Sequence, residues 1–259
     1  MTARDVDRRG LPDWAPSAIA VVAFLLIWEA VTRAGAISPL FLPAPSAIAA
    51  TTVRLLGTAG FRQDIQLTAG EFGTGYVLGV IVGIPVGLAA GLFRRVFYAV
   101  NPFLSGLYAM PSIALLPWVS LMVGIDLTPK IIMAFLGAAL PIAMSTLRGV
   151  AIVDHDLLTL GRSFLARRSI VIRDIIIPSV VPFMLTGLRI GLYGSLGFTL
   201  VAEFITSRAG LGHRIQEAGN TFQTDIAFAG IVIVIAIALV LWFAVGIIER
   251  YVLRWRAPV

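Results

Sequence analysis

The chain reads as long apolar runs separated by short polar breaks, and a run of about 20 apolar residues is what a helix needs to cross the hydrocarbon of a bilayer. Six runs are predicted to be spanning helices, at 17–33, 68–93, 97–123, 130–147, 179–205 and 225–248. Between the first two lies LPAPSAIAATTVRLL, which predicts a turn and a short helix after Pro45, with Ser46 as its cap. Pro102, Pro111 and Pro117 interrupt the third run, and Pro85 and Pro141 fall in the second and fourth. Each removes a backbone donor and is expected to open or bend its helix, where freed carbonyls could line a path.

One interior stretch breaks the apolar pattern. Residues 151–178, AIVDHDLLTLGRSFLARRSIVIRDIIIP, carry Asp154, His155, Asp156, Arg162, Arg167, Arg168, Arg173 and Asp174. Leu157, Leu158, Phe164, Leu165 and Ile172 recur at helical spacing within it, which predicts short amphipathic helices at a membrane face, closed by Pro178 and Pro182. A docking surface for a soluble partner is the functional expectation; an ordinary solvated connection is the plain one. Asp154, His155 and Asp156 lack a second cluster to work with. They read as a helix start capped by Asp156 rather than as acid–base or metal chemistry.

Composition settles the solvent. With 58% hydrophobic and 13% charged residues and a mean hydropathy of +0.93, the 259 residues have too little polar surface to cover a water-soluble globule. Zero cysteines exclude disulfides and thiolate sites, and two histidines leave little for a metal centre. The net charge of +6 is carried almost entirely by Arg between the spans, which positive-inside orientation explains without nucleic acid. With the N-terminus inside, thirteen of the 20 Lys and Arg residues fall on the inner side, six on the outer and Arg189 within a span. Both termini and the polar stretch are therefore expected in the cytoplasm. The first span reads as a retained anchor, because no small-residue cleavage site follows it. The expected organisation is a cytoplasmic segment 1–16, one six-span domain 17–250 with its cytoplasmic loop at 151–178, and a tail 251–259.

Gly75, Gly79, Gly83, Gly87 and Gly91 recur at every fourth residue of the second span. That spacing makes one flat stripe where another backbone can approach, in this chain or in a second copy. Energy sources are less visible. A phosphate-binding loop needs a glycine-rich turn ending in Lys and Ser or Thr, and the only lysine, Lys130, follows Leu127, Thr128 and Pro129. Any ATP-driven step must come from a partner. A proton- or sodium-coupled carrier is expected to pair ionisable groups at mid-bilayer. Here Glu29 and Glu71 fall near span ends, and Arg189 and Glu203 lie about 20 Å apart along one helix, too far to pair.

Several segments together resemble the permease subunit of bacterial ABC importers, in the nitrate, sulfonate and taurine branch. They are LPAPSAI (42–48), LPWVSLMVGI (116–125), IIIPSVVPFMLTGLRIGL (175–192), VAEFI (201–205), AGLG (209–212) and FQTDIAFAGI (222–231), in the family's order. The resemblance implies an all-α integral membrane protein of about six transmembrane helices with the type I ABC importer permease fold. It also implies a homodimer, two ATPase subunits that bind ATP and Mg, an external solute-binding protein, and no cofactor in this chain. The family's cytoplasmic loop carries a Glu-Ala-Ala motif, then a glycine, then a proline, and forms a coupling helix seated on the ATPase. Anchored on Pro178, the motif falls on Thr159, Leu160 and Gly161 and the glycine on Leu165, so the acidic residue and the glycine are both replaced. Phe164, Arg167, Arg168 and Asp174 complete the implied coupling set. Met110, Pro111, Trp118, Arg189 and Glu203 are the implied path residues. Glu71 stands where relatives often carry a basic residue, which implies local re-pairing. The implied solute is an organic or inorganic anion, with an aromatic or heterocyclic nutrient as the alternative. A secondary carrier or channel without ATPase is the reading from a different class.

Overall fold

The computed structural model describes residues 15–254, so most of the expected N-terminal segment and the end of the expected tail lie outside the described residues. Every regular element among them is helical. They are α1 (Ala15–Arg33), α2 (Pro45–Leu56), α3 (Ala59–Leu92), α4 (Arg94–Ala109), α5 (Leu116–Val123), α6 (Leu127–Ala151), α7 (His155–Ser163), α8 (Arg168–Ile170), α9 (Ile177–Thr206), α10 (Leu211–Asn220) and α11 (Thr224–Val252). A 3₁₀ turn, Ser112–Leu115, precedes α5, and a π-turn, Val171–Ile176, joins α8 to α9.

The centre is α6. Its alanines and glycines present small surfaces on two sides, and a long helix packs closely on each. On one side the α3 stripe is seated: Gly75 meets Ala134, Gly79 meets Ala138, Gly83 meets Ala139 and Ile142, Gly87 meets Ala143 and Gly91 meets Val150. A methyl on Gly83 would stand 2.9 Å from the Ala139 carbonyl oxygen, and one on Gly87 2.5 Å from that of Ala143. Only glycine admits such an approach. The neighbour of the stripe is thus in the same chain, and the shared order of the contacts makes α3 and α6 parallel. On the other side Gly187 faces Ile142, Gly191 faces Ala138 and Gly194 faces Gly137, which makes α9 antiparallel to α6.

That parallel pair decides the topology. The chain leaves α3 at one end of the bundle and must enter α6 at the other, so residues 93–126 have to return across it. They do so as a bent pair, Arg94–Ala109 and Ile113–Val123, whose axes differ by 91°. The sequence reading of a span at 97–123 is corrected accordingly. Met110 precedes Pro111, where the proline ring disfavours helical backbone, and it is extended at φ −77°, ψ 138°. Among the described residues five helices are long and apolar enough to span unbroken: Ala15–Arg33, Ala59–Leu92, Leu127–Ala151, Arg168–Thr206 and Thr224–Val252. The bent pair makes the sixth crossing.

Three further expectations change. The second span starts nine residues early, and at 34 residues α3 is about 51 Å long, more than the hydrocarbon accommodates. Pro178 and Pro182 do not close the polar stretch, because Pro178 enters α9 in its first turn, directly after the wider π-turn, and the helical path runs on from Arg168 to Thr206. Ser46 does not cap α2. Ala44 holds that position, and Glu29 of α1 accepts the Ser46 N–H at 3.0 Å and its hydroxyl at 2.7 Å, placing a carboxylate at the helix N-terminus. Trp28 meets Phe228 edge to face at 6.1 Å, setting α1 beside α11.

Candidate functional site

The polar stretch folds as one short arm, α7, followed by the first turns of the long helical path that starts at Arg168. In α7, Asp154 rather than Asp156 is the cap, its carboxylate accepting the Asp156 N–H at 2.8 Å. Thr159 and Ser163 turn their hydroxyls back onto the His155 and Thr159 carbonyls. Gly161 is buried against Val171 and Ile175 of the π-turn, where a methyl would stand 3.0 Å from the Ile175 side chain. Of the three motif positions this one is set by packing. The arm ends in a Schellman-type turn in which the Ala166 N–H donates to the Gly161 carbonyl at 3.1 Å and Leu165 is left-handed at φ 52°.

Leu165 therefore occupies the conformation for which the resemblance implies glycine. A Cβ there costs on the order of 1–2 kcal/mol. What the substitution adds is surface: Leu160, Phe164 and Leu165 are exposed at 54%, 77% and 91%. An apolar cluster this bare, on a loop otherwise studded with Arg, is open to a protein partner or to the membrane face. Arg167 precedes α8 with its carbonyl accepting from Ile170, and Arg168 lies over the Phe93 ring. Asp174 stands only 3.9 Å from Arg173, both exposed, and lines a cleft of about 480 Å³ with Asp154, Ile175 and Pro178.

At the bend after α4 a cavity of about 420 Å³ opens over α6 and α9. Tyr108, Met110 and Pro111 form one wall, and Leu140, Gly194 and Phe198 stand on the other. Two of the five sequence-derived path residues lie here. Trp118 is 66% exposed on α5. Arg189 is turned towards α11, paired with Glu249 at 2.5 Å and over Trp242. Glu203 is buried in a separate polar knot.

That knot ties the ends of α3, α6 and α9 farthest from the loop. Lys130 donates to Glu71 at 3.0 Å and to Ser207 at 2.9 Å. Glu203 accepts from the Thr68 hydroxyl and from the Gly212 N–H, both at 2.6 Å. Thr68 in turn accepts the Leu211 N–H, while Asp64 accepts the Gly210 N–H and a two-pronged contact from Arg214. The free N–H groups that start α10 are thus met by side chains of α3 and α9. Gly210, at φ 108°, lies so close against the Glu203 carboxyl that a Cβ there would collide with it.

Sequence reasoning missed this constellation and took Glu71 for an interfacial residue, because the predicted span began only three residues before it. The legible signal was the spacing of Asp64, Thr68 and Glu71 along one face of a helix, together with a solitary lysine. Glu71 and Lys130 form a buried ion pair that the sequence did not show, close to the start of α6 rather than midway along it. Among the described residues no group of three or more His, Cys, Asp or Glu could hold a metal ion.

A multi-span bundle of this topology, with a protruding loop and an apolar cavity at a broken helix, is the architecture of a solute permease. The chain belongs to the family of binding-protein-dependent transport system inner membrane components, whose pattern matches residues 75–254. It is 33% identical to the taurine transport system permease protein TauC of Escherichia coli K12, over 92% of this chain and 89% of that protein. It is 30% identical to the riboflavin transport system permease protein RibX of Chloroflexus aurantiacus, over 95% and 92%. A putative aliphatic sulfonates transport permease protein, SsuC of Bacillus subtilis 168, is 29% identical over 94% and 88%. Among solved structures, the inward-facing MetNI methionine ABC transporter in its native crystal form has a chain that matches with a TM-score of 0.66 at 18% identity, covering 73% of this chain and 94% of that one. The fold is therefore the type I ABC importer permease fold.

Proposed function

We propose that this chain is the membrane subunit of an ATP-driven importer that passes a small organic anion of the sulfonate type, with residues 151–178 as the seat of a separate ATPase. The bare Phe164 and Leu165 pair at the tip of α7 carries this reading. ATP and Mg belong on the ATPase, and a second permease copy and an external binding protein complete the assembly. The distribution of Lys and Arg supports a cytoplasmic loop and cytoplasmic termini in a bacterial inner membrane. The taurine and aliphatic sulfonate transport for which two of the relatives are named supports the solute class. A second reading, an aromatic or heterocyclic nutrient, draws on the cavity wall, where Tyr108 and Phe198 stand and no Lys or Arg is found among the lining residues.

Co-purification tests the seat. Replacing Phe164, Leu165 and Arg168 together by Glu is expected to cut recovery of the ATPase at least about tenfold, the effect of about 1.4 kcal/mol or more of lost contact, while the permease stays folded. Unchanged recovery would remove the assignment. Leu165→Gly separates contact from strain: relief of the left-handed Leu is expected to hold or raise thermal stability while ATPase recovery falls. A Leu165→Gly chain that binds the ATPase as well as the parent would show that the side chain is not part of the seat.

A further inference from the structure

Arg168, at the start of α8, holds its guanidinium 5.1 Å from the centroid of the Phe93 ring. Phe93 is the extended residue, at φ −122° and ψ 111°, between α3 and α4. It belongs to both helices: its N–H donates to the Ala89 carbonyl at 3.0 Å, and its own carbonyl accepts the Phe97 N–H at 2.9 Å. A displacement of the ring is thus delivered to the first turn of α4.

From there α4 runs as one helix about 24 Å long, with Pro102 inside it. Leu104 is its buried residue, packed on Leu140 and Ala143 of α6. At the far end Tyr108 and the Met110–Pro111 break wall the apolar cavity. Both ends of α4 are breaks in helical backbone, and its middle is the anchored part. We propose that the Arg168–Phe93 contact is the point at which the loop drives α4, which turns as a lever about Leu104 and moves the Tyr108–Pro111 wall of the cavity.

The arms are unequal. Phe93 lies about 17 Å from Leu104 along the helix, with Pro102 between them, and Met110 lies about 9 Å from it. A half-exposed contact between a cation and an aromatic face is weak, which suits a joint that must engage and release. Of the cations next in sequence to Phe93, Arg94 is occupied with Tyr98 on its own helix. Arg168 is the partner that comes from the loop. The lever rests on the ATPase reading above and adds to it the route from loop to cavity.

The chain has no cysteine, so Tyr108→Cys and Ile190→Cys place spin labels on opposite walls of the cavity without background. In proteoliposomes containing the co-purified ATPase, ATP and Mg are expected to shift the separation of the labels. Phe93→Leu keeps an apolar side chain and removes the aromatic face; it is expected to reduce the shifted population about two- to fivefold, with ATPase recovery and ATP hydrolysis unchanged. Phe93→Trp is expected to preserve the shift. A Phe93→Leu distribution identical to the parent's overturns the lever, as does a Phe93→Trp chain as impaired as Phe93→Leu. Loss of the ATPase from Phe93→Leu also overturns it, since the ring would then serve assembly. A parent that retains and runs the ATPase with no shift in separation defeats the lever alone. A parent that retains no ATPase defeats the reading on which the lever rests, and the lever with it.

Discussion

Gly83→Leu is expected to separate α3 from α6 and to lower the midpoint of thermal unfolding in detergent by about 10 °C. The methyl of even an alanine would come within 2.9 Å of a backbone oxygen, Ala139 O, and within 3.0 Å of Ile142. A flexible side chain can swing away from such an intrusion, but a helix backbone locked in a packed pair cannot. Overpacking of a core costs about 1–3 kcal/mol and more where backbone must shift, and a leucine here is at the upper end. At about 2–4 °C per kcal/mol for a chain of this size, the shift follows. Gly73→Ala is the control on the same helix. Nothing lies within 4 Å of its Cβ position, so the better helix propensity of alanine is expected to leave stability unchanged or raise it by up to about 1 kcal/mol. Equal effects at the two glycines would mean that close packing is not what the stripe provides.

The second large effect is expected at the polar knot. Lys130→Met removes the only ammonium from a site where the Lys130 and Glu71 side chains are 7% and 3% exposed. The Glu71 Oε2 atom already has no hydrogen-bond partner, and the substitution deprives Oε1 of its donor as well. Breaking a buried pair from one side costs about 3–5 kcal/mol, because the remaining charge is left uncompensated. Unfolding of Lys130→Met in detergent should register a loss of that order. Adding Glu71→Leu should recover most of it, since a buried pair replaced by apolar groups of similar size is often neutral. Failure of the second substitution to rescue the first would place the role of Lys130 in its bond to Ser207 instead.

The polar stretch 151–178 illustrates how far residue pattern reaches. Amphipathic spacing in 151–178 was sufficient to anticipate the short helix α7, which depends on neighbours three and four residues away, but not that the helix from Arg168 runs on into α9. The same pattern could not distinguish Gly161 from Leu165. One is buried under the π-turn and the other stands bare at a left-handed turn, and that difference is set by where the chain folds back. Arg189 shows the opposite case: a charge within an apolar run pointed towards a path, whereas its partner Glu249 lies sixty residues away on α11.

By itself the sequence determined the solvent, the helical class, the approximate positions of the spans and the glycine stripe, all of which follow from composition and from periodicity within one helix. Tertiary structure alone decided that the stripe faces α6 in a parallel pairing, that residues 93–126 recross the bundle through a bend, and that Asp64, Thr68, Glu71, Lys130, Glu203 and Arg214 meet in one knot. Those outcomes depend on the relative direction and depth of helices distant in the chain. Hydropathy is nearly uniform along such helices, so it records that they are buried in an apolar medium but not which neighbour each of them meets.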